Sequence, residues 1–215
     1  PYLALADEIK AEFRNKFIID GKLNSDIDTA ISISLFAGMY EKSEEQAEAD
    51  RLAKNITDND KRLFCGIHGA RTIFDMLTKF GYTQLAVDVV TNDKYPGYAA
   101  SVKAGLDTLP ESFRFATKYR PDGFLSLNHH FFSHICAWFL KTLAGIKING
   151  FGFEDVVIEP VFVEGINELT AEAHGIKVSY NSKTVKVTSP YPFTFKQGGK
   201  EIPCESGEYS FERKI

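Results

Sequence analysis

The sequence predicts a mainly α-helical chain that ends in a small antiparallel β unit. Apolar residues recur every three or four positions over most of residues 1–150, whereas residues 151–215 hold short alternating or apolar runs between turn-forming residues. Because the helices precede the strands and do not alternate with them, we expect two units and no α/β sheet. The predicted domains are 1–150, which is helical, and 151–215, which is a β-sandwich.

Composition is that of an ordinary globular protein. The 215 residues include 25 Lys and Arg against 29 Asp and Glu, which gives a formal net charge of -4. This balance argues against a nucleic-acid partner, which needs clustered positive charge. No apolar run approaches the ~20 residues of a membrane helix. The three cysteines lie far apart, so neither a zinc site nor a disulfide framework is indicated.

The first two helices are predicted from apolar repeats and stop signals. The first repeat has a four-residue spacing and consists of Leu5, Ile9, Phe13 and Phe17. Asp20-Gly21 is expected to end this helix. Ser25 or Asp26 can cap the second. The chain starts at Pro1 without a signal peptide, so we expect a processed product or an excerpt of a longer chain.

Three further helices follow in order. Ser43 and Gln46 have the spacing of a capping box before the third helix. The fourth is predicted over residues 67–80, with Gly81 as its C′ glycine. Thr83 can cap a short fifth helix that continues to Val90.

The segment after the fifth helix is less regular. Tyr95-Pro96-Gly97 interrupts the helical pattern, and a short helix is expected to end at Gly105. Residues 105–127 lack a clear period and form a long connection, a type of segment that often carries function. A last helix is predicted over 127–145, with a buried stripe of Phe132, Ile135, Phe139 and Leu143.

The strands are predicted from short apolar or alternating runs. These runs are Val156–Ile158, Ile176–Tyr180, Val185–Val187 and Phe193–Phe195. Asn181-Ser182 and Gly198-Gly199 are the turn signals between them. The pattern is typical of a small antiparallel sheet unit.

Three histidines form the most concentrated polar cluster. His130 and His134 are four residues apart, so they share a helix face and could bind a metal. No third ligand is evident, and the alternative is that they donate hydrogen bonds into a cleft or the core. No metal site is therefore predicted. Asn128-His129 at a helix start could favour an anionic or hydroxylated ligand, although a simple helix cap explains the pair equally well.

Glu111 is the carboxylate with the most suggestive surroundings. It lies between apolar residues in Leu109-Pro110-Glu111-Ser112-Phe113, and an apolar environment would raise its pKa and suit acid–base chemistry. A solvated surface charge is the alternative, and the same holds for Asp107. His68 lies between glycines that could admit a ligand or allow close helix contact.

Six short stretches occur in an order and spacing that a known family shares. They are Phe64–Phe80, Gly81–Ala86, Tyr95–Tyr98, Gly105–Glu111, Asn128-His129 and Leu143–Ile146. Together they resemble the C-terminal part of the α-L-rhamnosidases, glycoside hydrolase family 78. The resemblance implies about half of an (α/α)6 barrel of six helical hairpins, followed by an antiparallel β-sandwich.

The resemblance also implies a reaction and roles for single residues. The family hydrolyses terminal α-L-rhamnosyl residues with inversion, and Glu111 falls where the family has its general base. His129 would contact the sugar, Asn128 would hold the loop or the sugar, and His68 is added as a substrate-binding residue. The general acid is not found here and is expected upstream. No cofactor is implied.

The partners implied are a rhamnose-containing glycan or glycoside and the upstream part of the same polypeptide, and a periplasmic or extracellular location is favoured. Several neighbours of Glu111 depart from the family pattern, namely Asp107, Pro110, Ser112 and Phe113. They motivate an alternative, a catalytically inactive carbohydrate-binding protein on the same fold. A helical interaction module unrelated to sugars is a third hypothesis, which a surface-lying Glu111 without a cleft would favour.

Overall fold

The computed structural model describes residues 2–113 and 126–214. Two compact units are present, Pro1–Ser133 (unit 1) and His134–Ile215 (unit 2). The assignment of 1–150 and 151–215 to two domains stays a prediction. The predicted connection at 105–127 lies partly outside the described residues, including Pro121 and Gly123. None of the described helices is long and apolar enough to cross a membrane.

Unit 1 is helical, as predicted. Its helices are α1 (Tyr2–Phe17), α2 (Asp28–Phe36), α3 (Lys42–Asp58), α4 (Ile67–Lys79), α5 (Thr83–Thr91) and α6 (Tyr98–Lys103). Two short strands, β1 (Ile18–Ile19) and β2 (Lys22–Leu23), form a hairpin after α1. The predicted stop at Asp20-Gly21 is the turn of this hairpin, where both residues have positive φ.

Helices α2 and α4 pack closely because a glycine lies at their contact. A Cβ on Gly69 would lie 2.3 Å from Thr29 Oγ1, so a side chain there would force the helices apart. The Ser32 and Thr72 hydroxyls share a buried hydrogen bond of 2.8 Å nearby. Of the two glycines beside His68, Gly69 therefore serves helix contact, one of the two alternatives that the sequence left open, whereas a Cβ on Gly66 would meet no atom within 4 Å.

Helix α1 has no buried residue, and polar side chains attach it to the rest of unit 1. Lys10 Nζ donates to the Tyr40 carbonyl at 3.2 Å, and Arg14 donates to the Met39 carbonyl at 3.1 Å and to Glu44 at 2.7 Å. The predicted apolar stripe exists but remains largely uncovered, and its exposed residues are Leu5, Ile9 and Phe17.

The helix caps differ from those predicted. Helix α3 has a capping box, but Glu41 and Glu44 form it, and the prediction of Ser43 and Gln46 was wrong. Helix α2 follows Ile27, which makes no side-chain cap, and α5 follows Tyr82. Ser25, Asp26 and Thr83 are therefore not N-caps. Several residues in each segment had suitable chemistry, and local spacing alone could not select between them.

The helix predicted over 127–145 is shorter and divided. A single 3₁₀ turn spans His130–Phe132, helix α7 spans His134–Trp138, and a π-helical turn spans Phe139–Leu143. Of the predicted stripe, Phe132, Ile135 and Leu143 are buried. The apolar repeat marked the buried side correctly, whereas the hydrogen-bonding pattern changes along the segment.

The strands of unit 2 are β3 (Ile146–Asn149), β4 (Asp155–Ile158), β5 (Leu169–Ala173), β6 (Ile176–Tyr180), β7 (Thr184–Ser189), β8 (Phe193–Gln197), β9 (Lys200–Cys204) and β10 (Gly207–Glu212). They form two sheets, with orders β3-β4-β8-β9 and β10-β7-β6-β5. Both sheets contribute to one apolar core, as in a sandwich.

Two expectations for this unit need correction. The β4–β8 pair is parallel, so the unit is not wholly antiparallel. The β structure also begins at Ile146, slightly before the predicted residue 151. Strand β3 was not predicted, nor were β5, β9 and β10, each of which contains only one or two large apolar residues and so gives little apolar signal.

Candidate functional site

Two segments of unit 1, residues 108–113 and 126–129, run antiparallel to one another and are called the paired segments below. The backbone amide of His129 donates to the Leu109 carbonyl at 2.7 Å, and the amide of Glu111 donates to the Ser126 carbonyl at 2.8 Å. The Thr108 hydroxyl donates to the carbonyl of Leu127. These bonds bring Glu111, Asn128 and His129 to one place on unit 1.

A cluster of buried aromatic rings supports the paired segments. It consists of Phe74, Tyr98, Phe113 and Phe132, and we call it the aromatic base. The Phe113 ring centroid lies 4.2 Å from that of Phe132 and 4.8 Å from that of Tyr98. The Tyr98 hydroxyl donates to the Phe132 carbonyl at 3.0 Å. Phe113 follows Glu111 by two residues and Phe132 follows His129 by three, so the base anchors each paired segment next to its polar residues.

The polar tip of the site consists of Glu111, Asn128 and His129. Glu111 and Asn128 are exposed and His129 is half-buried. Glu111 Oε2 accepts a hydrogen bond from the Ser126 amide at 3.2 Å, which orients the carboxylate. Of the two alternatives that the sequence left open for Glu111, the structure shows the exposed side chain, although its neighbours Pro110 and Phe113 are buried.

His129 carries a polar atom that the described residues do not satisfy. Its Nε2 is buried and forms no hydrogen bond with any described residue. The ring lies edge-on to Phe131, with centroids 4.5 Å apart. A buried nitrogen without a partner is costly, so such an atom in a native protein calls for a ligand or an ordered water.

The other predicted histidines are placed differently. His68 is exposed in the first turn of α4 and is not part of the paired segments. His130 lies in the 3₁₀ turn and His134 at the start of α7, so they do not share one continuous helix. Within the described ranges, no group of three His, Cys, Asp or Glu could hold a metal ion.

Cys65, which precedes α4, is not a nucleophile in this state. Burial and the nearby Asp28 carboxylate raise the pKa of its thiol to about 12. The thiolate is the reactive form of cysteine, so Cys65 stays inert near neutral pH.

Sequence reasoning missed the residues that hold the site together. Ser126 and Thr108 act through hydrogen bonds between segments that are about fifteen or more residues apart, which no local period reveals. Phe113 departs from the family pattern, and the structure gives it a buried position in the aromatic base. The apolar character of Phe113 and Phe132 was the available signal.

Comparison with known proteins gives the family. Residues 1–143 match the model of the bacterial alpha-L-rhamnosidase 6 hairpin glycosidase domain, and the chain belongs to this family. The chain is 27% identical over 167 residues to an alpha-L-rhamnosidase of Streptomyces avermitilis, which covers 74% of this chain and 16% of that protein. The predicted family resemblance is confirmed.

Solved structures show the same fold. The native alpha-L-rhamnosidase of Aspergillus terreus superposes with a TM-score of 0.91 at 17% identity, over 98% of this chain and 27% of that one. The Streptomyces avermitilis enzyme complexed with L-rhamnose gives a TM-score of 0.88 at 20% identity, over 100% of this chain and 24% of that one. The predicted fold, helical hairpins of a six-hairpin domain followed by a β-sandwich, is confirmed. The chain spans about a quarter or less of the length of these relatives.

Proposed function

We propose that this chain supplies the general base and part of the sugar site of an inverting glycoside hydrolase that releases terminal α-L-rhamnosyl or related residues. The observation that carries the proposal is the convergence of Glu111, Asn128 and His129 on the paired segments of a chain from the alpha-L-rhamnosidase family. A solved relative of the same fold is complexed with L-rhamnose, which supports a carbohydrate substrate.

Glu111 has the attributes that a general base requires. Its carboxylate is exposed, and the Ser126 amide engages Oε2, so Oε1 can accept a proton from water. In an inverting glycosidase the base removes a proton from water while the water attacks the anomeric carbon from the face opposite the leaving group. The second carboxyl group of such a site lies ~6.5–9.5 Å away and protonates the departing oxygen.

His129 and Asn128 are proposed to bind the sugar. The unpartnered Nε2 of His129 can form a hydrogen bond with a sugar hydroxyl, which would satisfy the buried nitrogen. Asn128 is exposed beside it, and its side-chain amide can both donate and accept. His68, exposed on α4, is proposed as a more distant substrate contact.

The general acid and the remaining walls of the site are proposed to come from further polypeptide upstream of these residues. Helix α1 supports this, because polar contacts attach it while Leu5 and Ile9 remain 50% and 54% exposed. Relatives of the family extend well beyond the matched region. Additional helical hairpins packed on the apolar side of α1 would cover this surface.

A catalytically inactive carbohydrate-binding protein is the second candidate. The observation that favours it is the buried Pro110 beside Glu111, one of the positions that depart from the pattern of the family that the sequence resembles. The first candidate predicts turnover of a rhamnoside, whereas the second predicts sugar binding without turnover.

The test uses the complete polypeptide in which residues 1–215 occur. L-rhamnose release from an aryl α-L-rhamnoside is measured for the unchanged protein, for Glu111→Gln and for the matched control Asp107→Asn. We expect release, a fall in kcat of about 10²–10⁴ for Glu111→Gln, and an unchanged control. An undiminished kcat in Glu111→Gln would remove the base assignment. Rhamnose binding without release by the unchanged protein would establish the inactive alternative.

A further inference from the structure

The four-stranded sheet β10-β7-β6-β5 of unit 2 carries an open cavity of about 480 Å³ on one face. Its polar lining residues are Glu168, Thr170, Ser179, Asn181, Thr184 and Lys186. This volume lies in the range of ordinary small-molecule sites, ~300–1,000 Å³.

Strand register places three of these side chains in one row. Thr170 pairs with Ser179 across β5 and β6, and Ser179 pairs with Lys186 across β6 and β7. Residues opposite one another on neighbouring strands point to the same face. Two hydroxyls and an ammonium group thus form a continuous line across the sheet.

The rim of the cavity is fixed by Arg213. Its Nη1 donates to the Asn181 carbonyl at 2.9 Å and to the Asn167 carbonyl at 3.4 Å. Its guanidinium also stacks over the Tyr180 ring, 5.2 Å from the centroid. Asn167 precedes Glu168, so one side chain holds the two backbone segments that carry Glu168 and Asn181. The polar groups are therefore positioned before any ligand binds.

Two polar groups of the cavity are used by one another, since the Thr184 hydroxyl donates to Asn181 Oδ1 at 3.2 Å. Among the described residues, Glu168 and Lys186 form no ion pair and Thr170 and Ser179 form no side-chain hydrogen bond. Elsewhere in unit 2 opposite charges do pair, as in Lys196–Glu201 at 2.6 Å. The Oδ1 atom of Asn181 accepts from the Thr184 amide at 2.9 Å, which leaves its NH₂ group to donate.

We propose that this cavity is a carbohydrate-binding site. The lining offers a carboxylate that accepts, an ammonium and an amide that donate, and hydroxyls that do both. A sugar ring presents neighbouring hydroxyls that also donate and accept, so it can match this mixed set. A simple anion would meet the Glu168 charge, and an apolar ligand would find few apolar walls. None of the lining residues belongs to the paired segments, and binding here does not depend on catalysis at Glu111.

The test is an NMR titration of the whole 215-residue chain with methyl α-L-rhamnoside, methyl β-D-galactoside and sodium sulfate, each added separately. We expect a sugar to shift backbone amides of residues 168–170 and 179–186. The variant Ser179→Ala/Lys186→Met should weaken this binding about tenfold or more, because charged and neutral hydrogen bonds are lost together. Glu168→Gln provides a second, milder variant that keeps the shape of the residue.

Two controls make the result specific. Lys177→Met changes an exposed lysine on the same sheet face, one row away from the cavity, and should leave binding unchanged. Glu111→Gln should also leave these shifts unchanged, so failure here and failure of the proposed catalytic site are distinguishable. The proposal is overturned if neither sugar shifts the cavity amides, if only sulfate does, or if the cavity variants bind as well as the Lys177 control.

Discussion

The polar tip of the candidate site and the aromatic base that supports it are neighbours in unit 1 but have opposite environments. Glu111 and Asn128 are exposed, whereas Phe113 and Phe132 are 2% and 1% exposed. The base fixes the position of the tip through packing, and the tip contributes little to packing itself. Stability and chemistry therefore depend on different residues, so mutations should change the free energy of unfolding and the catalytic rate separately.

The largest expected effect is on the aromatic base. Phe132→Ala should lower the free energy of unfolding by about 3–5 kcal/mol, because it leaves a cavity among Tyr98 and Phe113. Phe131→Ala is the matched control, since this neighbour is 46% exposed and its loss should cost about 0.5 kcal/mol or less. Denaturant unfolding of both variants checks the difference. Equal destabilisation would show that the base does not anchor the segments.

The second prediction concerns the bond between the paired segments. Thr108→Val removes the hydroxyl that donates to the Leu127 carbonyl and keeps the side-chain shape. We expect a loss of about 0.5–1.5 kcal/mol in stability and a lower kcat with KM little changed, because Glu111 loses its fixed position. Asp107→Asn, which alters the adjacent exposed residue, should change neither. A Thr108→Val enzyme with the normal kcat would contradict a positioning role.

The same contrast explains which features could be predicted from the sequence and which could not. Helices α3 and α4 were predicted because their buried residues repeat at helical spacing within one continuous segment. Local reasoning marked Glu111 and the Asn128-His129 pair separately, and only the resemblance grouped them, since they converge through pairing of segments that no local pattern links. For Glu111 the sequence left burial among apolar neighbours and a solvated surface charge open, and the structure shows the exposed alternative.

Helix α1 differs from the candidate site, where apolar packing anchors exposed polar residues. Polar contacts hold α1 in place, and its apolar side is exposed. The hydrogen bond from Arg14 lowers the pKa of Glu44 below its ordinary value of 4.5. A depressed carboxylate pKa adds stability that is present above pH 4.5 and is lost as the pH falls through the lower, folded-state value. We expect hydrogen exchange of the backbone amides in α1 to become faster in that acidic range, once the rates are corrected for the pH dependence of intrinsic exchange. Arg14→Met should remove this pH dependence. If the variant keeps the same pH dependence, the Arg14–Glu44 contact is not its cause.

The smallest expected effect on stability concerns the exposed stripe of α1. Leu5→Glu/Ile9→Glu should change the free energy of unfolding by about 0.5 kcal/mol or less, because neither side chain is buried. The unchanged chain should self-associate through this surface in sedimentation, and the double variant should not. Glu8→Gln on the same helix is the control. If the unchanged chain is strictly monomeric, the exposed apolar stripe of α1 does not drive association.

Chemical rescue by azide tests most directly whether Glu111 is the general base. The variant Glu111→Ala is made in the complete polypeptide, and an aryl α-L-rhamnoside is the substrate. Azide needs no general base, so it can attack the anomeric carbon in the space that the lost carboxylate leaves. We expect azide to restore release of the aryl group and to give the β-L-rhamnosyl azide, with inverted configuration, as the product. No acceleration by azide, or a product that retains the α configuration, would contradict the assignment of Glu111 as the base of an inverting site.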